Sequence, residues 1–333
     1  MRRPLIALFL VIAAVVSAGC GERDESLGPS GQRSLDLMLD WVPNPDHAGV
    51  YAADGRGYFK TVGLGVKIRR PADPSVPIKQ VAAGRVDLAI SYEPEVLRAR
   101  AAGQKVVAVA AVVPKPLASV ISLPPDDVPN AGALRGKKIG TTGIDYQDAF
   151  LDQMLRRANV DTGDVERVRV GFDLQKALLT KKVDATLGGF ENVEVVELGL
   201  KRKRPTHFTV DEAGIPRYDE LVLVTSETTL REKRDEIRSF IGALGRGTRV
   251  AQREPEVAAG FLTRANRELD PKLQIEGTKK TPFAPPAGKP FGYQDPEQWK
   301  RFAEFMRTAG ILKGDVKAED AFTNDLLPGG GLE

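Results

Sequence analysis

The chain has 333 residues, of which 42% are hydrophobic and 28% charged, a balance that excludes a disordered chain and leaves room for two domains of ordinary size. Lys and Arg number 48 against 45 Asp and Glu, and removing Arg2 and Arg3, which fall in a segment expected to be cleaved, takes the net charge from +3 to about +1. The basic residues are scattered and form no stripe for a polyanion, so nucleic acid is not an expected partner.

At the N-terminus, Arg2 and Arg3 precede fourteen uncharged residues, 5–18, which are followed by Gly19 and Cys20. A positive start, a short apolar run and small residues before the cut describe a secretory signal peptide over 1–19. The run is shorter than the roughly 20 residues that a membrane-spanning helix needs. The pattern also resembles a bacterial lipoprotein signal, in which the cysteine after the cut is lipidated, although Ser17 stands where such signals usually have Leu. Cys20 is the only cysteine, so no internal disulfide can form and lipidation would account for the thiol. Residues 20–33 are polar and rich in Gly and Ser, as a flexible tether would be. These features predict a lipid anchor on the extracytoplasmic face of a bacterial cell membrane.

From residue 34 the pattern alternates between short strands and helices. Strands are predicted at 34–39, 66–69, 87–91 and 106–112. Helices are predicted from about His47, over 75–83 and over 93–102. A strand at 118–123 and a Pro-rich loop at 124–130 lead into a second alternating unit. It comprises strands at 137–141, 166–170 and 184–187 and helices at 145–159 and 173–181. The basic run 201–204 reads as a solvated helix end, and 220–225 as another strand. The remainder is mostly helical, interrupted by a Pro- and Gly-rich loop at 281–290. Such alternation predicts helices packed on mostly parallel sheets.

The two units echo each other. QVAAGRVDLAISY (80–92) and ALLTKKVDATLGGF (177–190) align on Val-Asp, and each reaches an aromatic followed by an acid: Tyr92-Glu93 and Phe190-Glu191. Ligands in open α/β sheets bind beyond the carboxyl ends of strands, so these pairs mark a cleft. Enzymatic parts are scarce. With His47 and His207 as the only histidines and no cysteine after Cys20, a His/Cys zinc site cannot be assembled. Neither a nucleophile elbow nor a phosphate loop is present. No catalytic residue, metal or cofactor is expected.

The segment WVPNPDHAGVYAADGRGYF (41–59) puts Trp41, Asn44, His47 and Tyr51 between the first strand and the first helix. Pro43 and Pro45 stiffen the loop, and Asn44 or Asp46 can cap the helix. Trp41 and Tyr51 offer ring faces, Asn44 and His47 offer donors and acceptors, and Tyr58 and Phe59 read as core. With GYF, SYEPEV (91–96) and GGFENVE (188–194), this segment resembles the ABC-transporter solute-binding proteins for thiamine pyrimidine precursors, a family that includes the yeast pyrimidine-precursor synthase.

That resemblance, over about residues 34–225, implies the two-lobed α/β fold of periplasmic binding proteins (type II-like) with a mostly helical C-terminal tail. Lobe 1 would hold 34–117 and 219–333, and lobe 2 would hold 118–218. It implies ligand contacts at Trp41, Asn44, His47 and Tyr92, and an acid at Glu194. Phe190 stands where the family often has Tyr and Glu191 where it often has Trp, which leaves the ligand's identity open. Counting the echoed acids, the expected ligand-binding set is Trp41, Asn44, His47, Tyr92, Glu93, Phe190, Glu191 and Glu194. The implied partners are a small heteroaromatic ligand and an ABC permease, with the chain itself a monomer. Synthase members carry a cysteine cluster that this chain lacks, which argues against an enzyme. Riboflavin or a sulfonate remain alternative ligands, and an extracytoplasmic pyrimidine-processing enzyme an alternative function.

Overall fold

The computed structural model describes residues 33–314 and 316–328. The expected signal peptide, Cys20 and nearly all of the tether lie outside them.

Ten strands form two five-stranded sheets. The chain begins with β1 (Arg33–Met38), β2 (Leu64–Arg69), β3 (Leu88–Ser91) and β4 (Val106–Val113). It then supplies β5 (Ala118–Ser122), β6 (Lys138–Thr141), β7 (Glu166–Arg169), β8 (Ala185–Phe190) and β9 (Thr206–Thr209) to the second sheet, and returns to the first with β10 (Leu221–Ser226). The orders are β2-β1-β3-β10-β4 and β7-β6-β8-β5-β9. In each sheet the first three strands are parallel, and the fourth, which follows a crossing between sheets, runs antiparallel to its neighbours. The two lobes therefore repeat one topology, which is the origin of the echo in the sequence.

The residue patterns explain the placement of these strands. VVAVAAVV in β4 is buried throughout, as a strand covered on both faces must be. ERVR in β7 is charged and largely exposed, which suits a sheet edge. β9 (THFT) is a strand that the sequence pattern did not signal, because it is short and His207 is exposed at the edge. Helices Arg234–Arg253, Pro255–Ala265, Pro271–Lys280 and Pro296–Thr308 fill the predicted helical tail. The first of them packs on the early helix Ala48–Gly55, and its Phe240 stacks on Phe59 at 4.9 Å. Arg202, within the basic run, lies just beyond the helix Val196–Leu200 and is exposed.

The chain crosses between sheets at 114–117 and again at 210–220. Glu220 ties the two crossings together: its Oε2 accepts the N–H groups of Leu117 and Ala118, at 2.6 and 2.8 Å, and the Tyr218 hydroxyl at 3.1 Å. Among the described residues no helix is long and apolar enough to cross a membrane.

Candidate functional site

The carboxyl ends of β1, β3 and β8 face one another across the gap between the lobes. The loop after β1 carries the most ordered polar network. Asn44 caps the turn Pro45–His47 by accepting the Asp46 N–H at 2.9 Å. Its own backbone N–H donates to His47 Nδ1 at 3.1 Å. A backbone N–H can only donate, so Nδ1 is an acceptor and the ring proton sits on Nε2, which lies 2.8 Å from Asp40 Oδ1. The Tyr92 hydroxyl donates to the other Asp40 oxygen at 2.9 Å. Asp40, His47, Tyr92 and Asn44 are all buried. His47 thus holds the loop from behind, while Asn44, its Oδ1 spent on the cap, has its amide hydrogens to offer to the gap.

The facing wall comes from the second lobe. Gly188 and Phe190 end β8, and Val193 and Glu194 follow on a short π-type turn, Glu191–Val195. Glu194 Oε2 accepts the Phe190 N–H at 2.6 Å. Part of this side chain faces the gap and the rest is enclosed by protein, and that desolvation pushes its pKa up to about 7. Gln147, near the start of the helix Asp145–Arg157, accepts the Thr142 hydroxyl through Oε1 at 2.5 Å, which leaves its amide N–H groups for the gap. Gly188 adopts φ +100°, and a Cβ there would lie 2.5 Å from Gln147 Oε1. Glycine is thus required both by the backbone conformation and by the close approach of Gln147.

Asp40, Trp41, Asn44, Tyr92, Gln147, Gly188, Phe190, Val193 and Glu194 line a narrow cavity between the lobes. The lining contains two carboxylates, three aromatic rings and two amides, and no Lys or Arg. The lobes also meet across the gap: Trp41 sits edge-on to Phe172 at 4.6 Å between ring centres, and Tyr92 lies 5.6 Å from Tyr146. Among the described residues no three His, Cys, Asp or Glu side chains converge as metal ligands would.

Of the eight residues expected from the sequence, Trp41, Asn44, Tyr92, Phe190 and Glu194 line this cavity. His47 stands behind it. Glu93 departs from expectation. Its carboxylate is buried at the crossing between lobes, accepting the Asp219 N–H at 2.7 Å and the Gln298 amide at 3.0 Å. Tyr92 precedes the helix Glu93–Ala101, and the turn into it sends consecutive side chains in different directions. Glu191 is also not among the lining residues; its backbone N–H donates to Leu117 O at 3.3 Å. Tyr51 and Phe59 are core residues, and the half-buried Tyr58 lies under the Arg246 guanidinium at 4.7 Å.

Comparison with known proteins places this geometry. Residues 44–258 match the family described as NMT1/THI5-like. The chain belongs to the NMT1/THI5-like family. This NMT1/THI5-like chain is 32% identical to the formylaminopyrimidine-binding protein of Halalkalibacterium halodurans, over 96% of its own length and 98% of that protein. It is 27% identical to a 4-amino-5-hydroxymethyl-2-methylpyrimidine phosphate synthase of Saccharomyces cerevisiae, covering 72% of this chain and 74% of the yeast enzyme. Among solved structures, the alkanesulfonate-binding protein of Xanthomonas axonopodis pv. citri bound to MOPS superposes with a TM-score of 0.69 at 16% identity, over 87% of this chain and 97% of that one. At that identity the likeness shows the fold alone, which is the two-lobed periplasmic binding protein fold.

Two lining residues of the NMT1/THI5-like site had no clear signal in the sequence. Asp40 immediately precedes the motif that begins at Trp41, and as the last residue before a loop it looks like a turn former. Gln147 looks like any polar residue in the first turn of a helix. Asp40 is placed by its contacts with His47 and Tyr92, and Gln147 by the approach of its helix to β8.

Proposed function

We propose that this protein captures a small aminopyrimidine of the thiamine-precursor type, such as a hydroxymethyl- or formylaminopyrimidine, and passes it to an ABC permease. The observation that carries this reading is the lining of the cavity: carboxylates and amides set among aromatic rings, with no cation. A flat, neutral ring with an exocyclic amine fits such a lining, whereas a sulfonate would meet Asp40 and Glu194 without a compensating charge. The gap between these residues is narrow as it stands, so a single ring needs less opening of it than a flavin does. Trp41, Tyr92 and Phe190 supply the ring faces, Glu194 accepts from the amine, and Asn44 and Gln147 donate to ring nitrogens or to a side-chain oxygen of the ligand.

The relative from Halalkalibacterium halodurans, named for binding formylaminopyrimidine, supports this reading along nearly the whole chain. The yeast relative is a synthase, but the only cysteine here, Cys20, stands outside the matched region, and nothing in the cavity suggests a nucleophile. Binding without turnover is therefore the function proposed. Ligand would draw lobe 1 (34–117 and 219–333) and lobe 2 (118–218) together, and the permease would read the closed form. Export through residues 1–19 and lipidation at Cys20 would place the protein outside the cell membrane on the tether 20–33, as a monomer.

Mass spectrometry of the small molecule released on denaturing freshly purified protein tests the reading directly. An aminopyrimidine, bound again unchanged in calorimetry, is the expected result. A sulfonate, a flavin or a chemically converted pyrimidine would replace it.

A further inference from the structure

A second set of contacts between the lobes lies beside the cavity and outside its lining. Asn192, on the second lobe, uses both hydrogens of its side-chain amide on the first lobe: one reaches Asp46 Oδ1 at 2.7 Å and the other Thr281 Oγ1 at 2.8 Å. Thr281 Oγ1 also lies 3.2 Å from Asp46 Oδ1 and 3.0 Å from Gly277 O, either of which takes its hydrogen. Asp46 is 1% exposed, Asn192 0% and Thr281 8%. Gly277 permits the arrangement, since a Cβ there would stand 2.3 Å from Pro45 Cγ and 2.8 Å from Asn192 O.

Two acceptors in this cluster, Asp46 Oδ2 and Asn192 Oδ1, are buried and have no hydrogen-bond partner among the described residues. Orphaned acceptors cost free energy, and here two are left on the very side chains that already share one hydrogen bond. A single proton removes both defects. Were that proton on Asp46 Oδ2 and donated to Asn192 Oδ1, acid and amide would join through two antiparallel hydrogen bonds.

We propose that Asp46, Asn192 and Thr281 form a proton-operated clasp: when the lobes close, Asp46 takes a proton from solvent and pairs as a neutral acid with the Asn192 carboxamide. This rests on the reading that the lobes close on a ligand. Burial is the largest influence on Asp46 and raises its pKa to about 6, which agrees with proton uptake on closure. The charged groups nearby are His47 and Asp40 on its own segment, and Glu191 and Glu194 on the segment that carries Asn192. Glu220 also interacts with Asp46. On the flanking helices Lys279 is held outward by Glu256 and Glu276, Lys280 is exposed, and Arg264 lies over Phe261. Among the described residues no lysine or arginine is paired with Asp46.

Opened to water, Asp46 returns toward its ordinary value of 3.8, so closure and binding strengthen as pH falls. With about 6 in the closed form, the clasp makes affinity about tenfold higher at pH 5 than at pH 8. Asp46→Asn mimics the protonated acid, because its amide donates to Asn192 Oδ1 at any pH.

The test is calorimetry with 4-amino-5-hydroxymethyl-2-methylpyrimidine at pH 5, 6, 7 and 8. It is carried out on Glu194→Gln, which removes one further titration at the junction, and on Glu194→Gln with Asp46→Asn. The single variant should bind about tenfold more tightly at pH 5 than at pH 8. The double variant should lack this component, so that the single-to-double affinity ratio falls about tenfold from pH 5 to pH 8 while titrations common to both cancel, and it should bind more tightly than the single one at pH 8. A double variant that keeps the slope, or that binds more weakly at pH 8, overturns the clasp. If neither variant nor the wild type binds this compound, the ligand assignment fails and the clasp is judged without it. Distances between spin labels on the two lobes of ligand-free protein at pH 8 should then shift to shorter values in Asp46→Asn, and unchanged distances overturn the proposal.

Discussion

An enclosed carboxylate is unstable as a charge until something pairs with it, and Glu194 meets the cavity with one oxygen already committed to the Phe190 N–H. The other oxygen can read an amine. Glu194→Gln would keep the bond from Phe190 through its carbonyl and turn its NH2 toward the ligand, where donor would face donor. A hydrogen bond to a charged group contributes about 1.5–3 kcal/mol, so affinity for an aminopyrimidine should fall about 10- to 100-fold. The measurement belongs at pH 8, where a carboxyl with a pKa of about 7 is mostly ionised. An analogue without the amine should bind both proteins alike, and an equal loss on the two compounds would make Glu194 a structural residue. This residue was legible in the sequence because it sits in a motif, as do Trp41, Asn44 and Tyr92. The acid after Tyr92 lies away from the cavity for a physical reason. Alternation along a strand stops where a helix begins, and Glu93 turns toward the crossing. Asn192 lies within the GGFENVE motif, yet its part in joining the lobes depends on Asp46 and Thr281, far away in the chain.

At the level of elements, the site is a strand end met by a helix start. β8 delivers Gly188 against Gln147, and the backbone there has φ +100°. Gly188→Ala would strain the backbone and drive a methyl to 2.5 Å from Gln147 Oε1, pushing that amide out of the cavity wall. Affinity should drop at least tenfold, with a stability loss on the order of 1–3 kcal/mol. In a Gln147→Ala background the contact with Gln147 is gone while that with Thr142 Cγ2, at 2.8 Å, and the backbone strain remain, so the same substitution should cost less, and a double-mutant cycle on thermal unfolding measures the difference. Purely additive effects would mean that Gln147 does not limit this turn. The strands around the site were readable because apolar runs such as that of β4 and the apolar alternation of β1 reflect burial directly. β9 was not readable, since an edge strand of four residues with one buried side chain carries no periodicity.

Across the whole molecule, buried carboxyl groups gather where the lobes meet. Glu93, Glu95, Asp46, Glu194, Asp219 and Glu220 all have raised pKa values, and burial is the largest cause for each. Asp46 is pushed to about 6; Glu95, Glu194, Asp219 and Glu220 reach about 7, and Glu93 goes well above its ordinary value. Among the described carboxylates only Asp73 and Glu256 shift clearly downward. In the unfolded chain the raised groups ionise near pH 4 to 4.5, whereas in the folded protein they keep their protons to higher pH. Between these limits the folded state binds more protons, so stability declines as pH rises and levels off once the folded groups have ionised as well. Glu93, Asp219 and Glu220 make their contacts at the crossing rather than on the faces that part on opening, so the melting temperature of the ligand-free protein should be higher at pH 5 than at pH 8. Glu220→Gln, whose carbonyl oxygen can take the place of the one that accepts both N–H groups at the crossing, should remove part of that slope. Scanning calorimetry across this range decides the matter. A melting temperature that rises from pH 5 to pH 8 would mean that these groups are ionised in the folded protein, and that solvent reaches the junction of the lobes more freely than the closed form allows.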